Sequence, residues 1–408
     1  MDNALDAHLR GAIALHQTGR LNQAEAQYRE ILRINKRHPD AIHLLAMLIH
    51  QRGKTVEALP LVDRALKARP KFPAAQNSRG LMLMALGRAE EATASFDKAL
   101  AADPSHVLAW FNRGHALSSL QRSEQALTSY DRALALQPGF TQADQAKAGL
   151  FRRLGRLAEA LACCNRALAA NPELADVYND RGVILDGLGR GEDAFADYAR
   201  AVSLRPGFAE ALNNQGATLD RLGRHTEARE SFRRAVASRP NFSGALMNLA
   251  DTLYLEGRRE EAVATVDRQL ALDPEDITAH FVRAVYQLPI LYEREEEIDE
   301  RRIAYKAALL DLKARVDTEA TPGRFAHAVA VAQPFFLAYQ GRSDFELQRL
   351  HGSIVDRIMS DHLTDAALPG TPQPGERIRV GIVCGFFRQH PVWRIVARGW
   401  VTQLDRTR

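Results

Sequence analysis

The sequence predicts an all-α solenoid of eight tandem helical hairpins, each 34 residues long, and three observations carry that prediction. First, a frame opening at Leu5 and stepping by 34 residues runs through Pro39, Pro73, Val107, Thr141, Ala175, Ala209 and Ser243 and closes at Asp276 without insertion or deletion. A strict period of this length marks a repeat architecture. Second, position 20 of the frame is alanine in all eight repeats (Ala24, Ala58, Ala92, Ala126, Ala160, Ala194, Ala228, Ala262), and position 8 is always alanine or glycine. Two antiparallel helices packed at close range need small side chains where they touch. Third, position 15 is glycine in seven repeats and position 32 is proline in seven, with Gln121 and Lys36 as the exceptions. Glycine ends the first helix because a left-handed backbone costs it little. Proline stops the second helix and leads into the next repeat.

Position 24 is aromatic in five repeats (Tyr28, Phe96, Tyr130, Tyr198, Phe232) and is expected to be a large knob for the neighbouring repeat. Cys164 occupies the same position and reads as a core residue rather than a nucleophile. Position 16 is basic throughout, from Arg20 to Arg258. A stripe of this kind fits an acidic partner. It also fits a cation complementing the dipole at the end of the first helix, and that explains the recurrence repeat by repeat.

These positions coincide with the tetratricopeptide pattern, and residues 5–276 resemble that family throughout. Unrelated hairpins would not keep phase for eight periods. The resemblance implies a right-handed superhelix whose first helices line a concave wall, with positions 2, 5, 6, 9, 12 and 13 pointing inward. Position 6 then places Asn112, Asn214 and Asn248 on that wall, together with Asp180, and position 5 adds Asn77, Asn179 and Asn213. An asparagine amide carries both donor and acceptor. Such groups suit the main chain of an extended polypeptide; the competing reading is that they are simply solvated.

In the O-linked N-acetylglucosamine transferases an asparagine ladder at position 6 binds the substrate main chain, and Asn112, Asn214 and Asn248 match it. The other five position-6 residues depart from it, so a partial ladder is implied, better formed toward the C-terminal repeats. Asp176, Asp180, Asp186, Glu210, Asp220 and Asp251 make that half acidic. Position 2 carries no lysine, which argues against the carboxylate clamp of another tetratricopeptide class.

Past Pro274 a ninth first helix is expected over residues 277–288, ended by Pro289. Further helices over 292–316, 326–338 and 345–359 would complete a helical cap and spacer spanning 277–364. Residues 365–376 hold Pro369, Gly370, Pro372, Pro374 and Gly375 and read as a linker. Residues 377–384 alternate as a strand, and an apolar helix is expected from about Val392 to Leu404. Val383-Cys384-Gly385-Phe386-Phe387-Arg388-Gln389-His390-Pro391 resembles the motif that opens the catalytic region of glycosyltransferase family 41, which includes the Spindly-like proteins. The resemblance puts His390 on that family's active-site histidine, while Phe386, Gln389 and Arg394 depart from its pattern. A UDP-sugar donor is implied only for a complete family member. No cofactor is expected in these 408 residues, because the nucleotide-sugar lobe would lie beyond the strand and helix of 377–408.

Composition bounds the partners. The 54 basic and 50 acidic residues nearly balance, which argues against a nucleic-acid binder. No run of 18 apolar residues exists to span a membrane. No signal peptide is read at the N-terminus. Cys163, Cys164 and Cys384 make no disulfide framework, so a reducing cytoplasm is the simplest compartment. The functional expectation is a protein–protein interaction scaffold that binds extended polypeptide, as the substrate-recognition part of a protein O-glycosyltransferase-like protein. The alternatives are a working part of such an enzyme and an adaptor with no chemistry.

Overall fold

The computed structural model describes residues 2–330, 334, 337 and 340–360. The linker 365–376, the strand and helix of 377–408 and His390 lie outside the described residues. Two compact units are present, Met1–Pro274 and Glu275–Arg408. Every regular element among the described residues is helical.

In the first unit each repeat is one helical hairpin. The pairs are α1 (Asp2–Gln17) with α2 (Leu21–Ile34), α3 (Pro39–Gln51) with α4 (Thr55–Ala68), α5 (Pro73–Ala85) with α6 (Ala89–Ala102), and α7 (Val107–Ser119) with α8 (Ser123–Leu136). They continue as α9 (Thr141–Arg153) with α10 (Leu157–Ala170), α11 (Ala175–Gly187) with α12 (Gly191–Leu204), α13 (Ala209–Arg221) with α14 (His225–Ser238), and α15 (Ser243–Leu255) with α16 (Arg259–Leu272). Helices adjacent in sequence pack together along the whole unit, giving an α-solenoid in which each repeat touches its neighbours.

The turn inside each hairpin follows from position 15. Its glycines take φ of +73° to +80°, and Gln121 takes +59°. The amide of position 16 then reaches back five residues, as from Arg20 to the Leu15 carbonyl at 2.9 Å and from Arg190 to Leu185 at 2.9 Å. This satisfies a carbonyl that the helix end would leave orphaned. The position-16 base is therefore the N-cap of the second helix as well as the residue following the first. In six of the eight repeats its side chain turns to an acid three residues on, as in Arg88–Glu91 at 2.6 Å and Arg224–Glu227 at 2.7 Å, while Arg20 and Arg122 stand three residues before Gln23 and Gln125. That local ion pair, with the acid in the first turn of the second helix, adds in six repeats to the favourable placement of a cation at the end of the first helix.

The hairpin core adds a contact to the expectation for position 24. Its ring lies over position 8 of its own repeat and also shares a core with the next, as Tyr130 does with Ala148 and Phe151. A methyl built on Gly80 would sit 2.4 Å from Phe96, on Gly114 2.5 Å from Tyr130, on Gly182 2.6 Å from Tyr198, and on Gly216 2.6 Å from Phe232. Where position 8 is Ala46, Ala148 or Ala250, position 24 shrinks to Val62, Cys164 or Val266, all fully buried. Volume is thus balanced across the contact in seven of the eight repeats, the condition cores tolerate best, while the first pairs Ala12 with Tyr28.

Successive repeats are stapled by a base at position 7. Arg79 donates to Asp63 of the preceding repeat at 2.8 Å and to Ser95 of its own at 2.7 Å. Arg113 makes the same pair of bonds to Asp97 and Ser129, Lys147 reaches Asp131, and Arg181 joins Asn165 to Asp197.

The second unit contains α17 (Ile277–Val285), α18 (Glu295–Thr318), a 3-10 helix (Pro322–Ala330) and α19 (Phe345–Met359). Its core includes Phe281, Tyr305, Leu309, Leu312 and Ile354. Arg302 of α18 binds Asp344 at 2.8 Å and Gln340 at 2.7 Å. The segment expected to begin an α-helix at 326 is instead a 3-10 turn that starts at Pro322, a residue suited to a first turn.

Two outcomes follow for the hairpin. Gly216→Ala should destabilise the unit by roughly 1–3 kcal/mol. Adding Phe232→Val, which recreates the Ala250–Val266 pair, should recover at least part of that loss. Urea unfolding of both singles and the double checks this, and additive losses would refute the contact. Gln121→Gly should raise stability by about 1 kcal/mol by relieving the left-handed backbone of a residue with a Cβ; an unchanged urea midpoint would show that the turn carries no strain.

Candidate functional site

First helices approach one another across repeats, α1 to α3, α3 to α5 and onward to α15, more closely than second helices do. They therefore form the inner wall of the curved array. Positions 5 and 6 of these helices meet across each junction. A position-6 side chain lies 35 residues after its position-5 partner, so each bond joins one repeat to the next.

Asn112 donates to the Asn77 Oδ1 at 2.9 Å, Asn214 to Asn179 at 3.0 Å, and Asn248 to Asn213 at 2.9 Å. Gln145 donates to an Asp180 oxygen at 3.0 Å. His43 Nε2 and the Ser78 hydroxyl are 2.8 Å apart. Five polar rungs thus run along the wall from repeat two to repeat eight. One junction breaks the series, where Phe111 and Ala146 occupy the two positions. Phe111 packs against His115, Tyr130 and Phe140 there.

The geometry leaves valences open. An asparagine at position 6 spends one N–H on its partner and keeps the other N–H and its carbonyl. The position-5 asparagine accepts one bond and keeps both N–H groups. The inter-repeat bond fixes how each amide is turned, so the free groups are oriented before any ligand arrives. Asn112, Asn179, Asn213, Asn214 and Asn248 are half-buried, as is Asp180. Burial pushes the Asp180 carboxyl above its ordinary value, while the Gln145 amide favours the charged form.

Sequence reasoning placed the asparagines on one wall but missed that they pair. It also missed His43, Ser78 and Gln145 as members. The signal was present in the columns, since reading position 5 of one repeat against position 6 of the next gives every pair.

A second, sparser line joins position 12 to position 13 of the following repeat. His16 and Gln51 are 2.9 Å apart, Arg153 donates to Ser118 at 2.6 Å, and Arg221 pairs with Asp186 at 2.7 Å. Three of the six acids expected to make the C-terminal half negative, Asp176, Asp186 and Glu210, are paired with arginine within the fold. Arg205 binds both oxygens of Asp176 at 3.0 and 2.5 Å. Arg239 binds Glu210 at 2.6 Å, and His225 contacts Asp220 at 2.8 Å.

Sequence profiles of the tetratricopeptide repeat family match residues 44–107, 80–139, 111–175, 146–209 and 179–241, and a further one matches 221–284. The chain belongs to the tetratricopeptide repeat proteins. Among curated proteins no relative matches it. Several solved structures are similar. YrrB, described as a TPR protein with an unusual peptide-binding site, is 27% identical over 45% of this chain and 95% of its own, with a TM-score of 0.38. PilW, a type IV pilus biogenesis factor, is 24% identical over 51% of this chain and 96% of its own, with a TM-score of 0.48. A tetratricopeptide repeat protein from Parabacteroides merdae is 20% identical over 62% of this chain and 99% of its own, with a TM-score of 0.47. Among the described residues no helix is long and apolar enough to cross a membrane.

The His43 rung has a consequence for pH. Burial holds its imidazole at about 4, against an ordinary 6.5. Below pH 6.5 the unfolded chain takes up a proton that the folded one refuses. Its stabilising share is therefore complete above 6.5 and is lost as pH falls toward 4. The loss amounts to roughly 3 kcal/mol. His43→Asn should remove that part of the acid sensitivity, and urea unfolding of both proteins across this range checks it. Parallel stability curves would show that His43 is not the group concerned.

Proposed function

We propose that the inner wall of the repeat array holds an extended polypeptide by its main chain. The observation that supports this reading is the line of amide rungs, each held by a neighbour in the next repeat and each left with free donors and acceptors. Asn112, Asn179, Asn213, Asn214, Asn248 and Asp180 are the residues assigned to the contact. Amides recognise peptide groups and leave the ligand's side chains unread. Breadth of sequence tolerance follows, with register set by the rungs. The fully buried Cys164 and nearly buried Cys163, neither in a disulfide, are compatible with a reducing compartment such as the cytoplasm.

The finer reading is that the held polypeptide is the acceptor of a protein O-glycosyltransferase-like activity. It rests on the resemblance of residues 383–391 to the opening catalytic motif of family 41, which would make His390 the catalytic residue and a UDP-sugar the donor. The other reading, an adaptor that recruits partners, needs only the rungs.

Peptides selected from a displayed library of unstructured sequences, labelled and followed by fluorescence anisotropy, test the first claim. Asn214→Ala with Asn248→Ala should weaken such a peptide by roughly 1–3 kcal/mol in total. N-methylation of its backbone amides should weaken it more than alanine replacement of its side chains. Unchanged affinity in both cases would mean that another surface binds. Because no cofactor is expected in these 408 residues, UDP-N-acetylglucosamine added to the peptide-bound chain should give no saturable heat in calorimetry. Saturable heat abolished in His390→Ala would overturn that expectation and favour a working transferase part over the adaptor.

A further inference from the structure

Charge is not spread evenly over the repeats. From Arg29 to Phe72 ten basic residues stand against four acidic ones, a larger surplus than the +4 of the whole chain. All four of those acids are engaged: Glu30 by Arg33, Asp40 by Arg69, Glu57 by Lys54 and Asp63 by Arg79. Lys36, Arg37, Arg64 and Lys67 have no carboxylate partner among the described residues. With Ile42 and Ala68 they line one cavity of about 590 Å³, and no acid lines it.

The other repeats serve as internal controls. At position 29, Lys67 and its equivalent Arg33 stand where later repeats have Ala101, Ala135, Ala169, Ser203, Ala237 and Ala271. At position 32, Lys36 replaces the proline of the other seven repeats. At position 33, Arg37 and Lys71 give way to Ser105, Gly139, Glu173, Gly207, Asn241 and Glu275. Alanine and proline build the same hairpin elsewhere, so the fold does not require Lys36, Arg37 or Lys67, whereas Arg64 stands at position 26, which is also basic in Lys98, Arg132, Arg166, Arg200, Arg234 and Arg268. The three additions meet that recurrent base at one junction, brought together from the turn before α3 and from α4.

We propose that this cavity binds a compact, multiply charged phosphate anion, at a site separate from the amide rungs. Its residues lie at positions 4, 26, 29, 30, 32 and 33, none of which carries a rung. Arginine offers a planar fork that fits phosphate oxygens, and lysine adds a point charge. The volume falls in the range of small-molecule sites. A nucleic-acid strand would require a cationic track along successive repeats. Here positions 29 and 33 turn neutral or acidic beyond the second repeat, and of the bases that continue at position 26, Arg166 and Arg200 are paired with Asp144 and Glu173.

Calorimetric titration of the 408-residue chain with inorganic tripolyphosphate tests the site. Saturable one-to-one binding is expected, with single inorganic phosphate binding more weakly. Arg64→Ala with Lys67→Ala should reduce affinity at least roughly tenfold. Lys36→Glu with Arg37→Glu, confined to the turn, should do the same and provides a second reading if the helical pair perturbs folding, as judged by circular dichroism. Arg132→Ala, an exposed base at the position of Arg64 two repeats on, should change nothing. The proposal is overturned if tripolyphosphate does not saturate, or if Arg132→Ala weakens it equally. It is also overturned if duplex DNA or anionic vesicles bind more tightly than tripolyphosphate and are lost in the same variants.

Discussion

The close contact between positions 8 and 24 inside each hairpin is the constraint on which the rest of the structure depends. Gly80, Gly114, Gly182 and Gly216 have no room for even one methyl group beneath the ring that covers them. The distance between the two helices is therefore set by backbone against aromatic face, with the position-20 alanine also fully buried. A hairpin of fixed width stacks on its copies with a fixed offset. Interiors are packed too densely to absorb a larger side chain without moving a helix, and a moved helix would shift every repeat stacked upon it.

That fixed offset is what turns a column of polar residues into a line of bonds. Position 6 meets position 5 of the preceding repeat at every junction, so whichever side chains occupy those columns face each other. Where both are polar they bond, as Asn248 does with Asn213. Where they are Phe111 and Ala146 the line is interrupted by an aromatic cluster. The rungs couple repeats mechanically and also fix the rotamers of the amides that remain free to bind. Preorganisation of this kind removes part of the side-chain entropy that a ligand would otherwise have to offset.

Electrostatics divides into two kinds of pair. The exposed ion pairs at position 16 are local and each contributes little. Among the position-7 bases, Arg181 differs because its partner is withdrawn from water. The Asp197 side chain is only 8% exposed and accepts two bonds from Arg181. Removing either partner there would leave a charge poorly solvated. The same economy of pairing quiets Asp176, Asp186 and Glu210 in the C-terminal repeats, and it makes the unpaired cations around Arg64 stand apart from the rest of the array.

The sequence by itself determined the period, the phase and the helical hairpin, because those depend on local chemistry. Glycine at position 15, proline at position 32 and small residues at positions 8 and 20 act within a few residues of where they stand. It also placed Asn112, Asn179, Asn213, Asn214, Asn248 and Asp180 on a common wall, through the family pattern of inward positions. What it could not assign was partnership across 35 residues. Tertiary structure decided that position 24 covers position 8 of its own repeat, that Asp176 and Glu210 are held by Arg205 and Arg239, and that the wall amides pair in a line. The physical reason is the same in each case. Those contacts are set by the offset between stacked helices, and that offset arises from packed volumes, a property no single repeat contains.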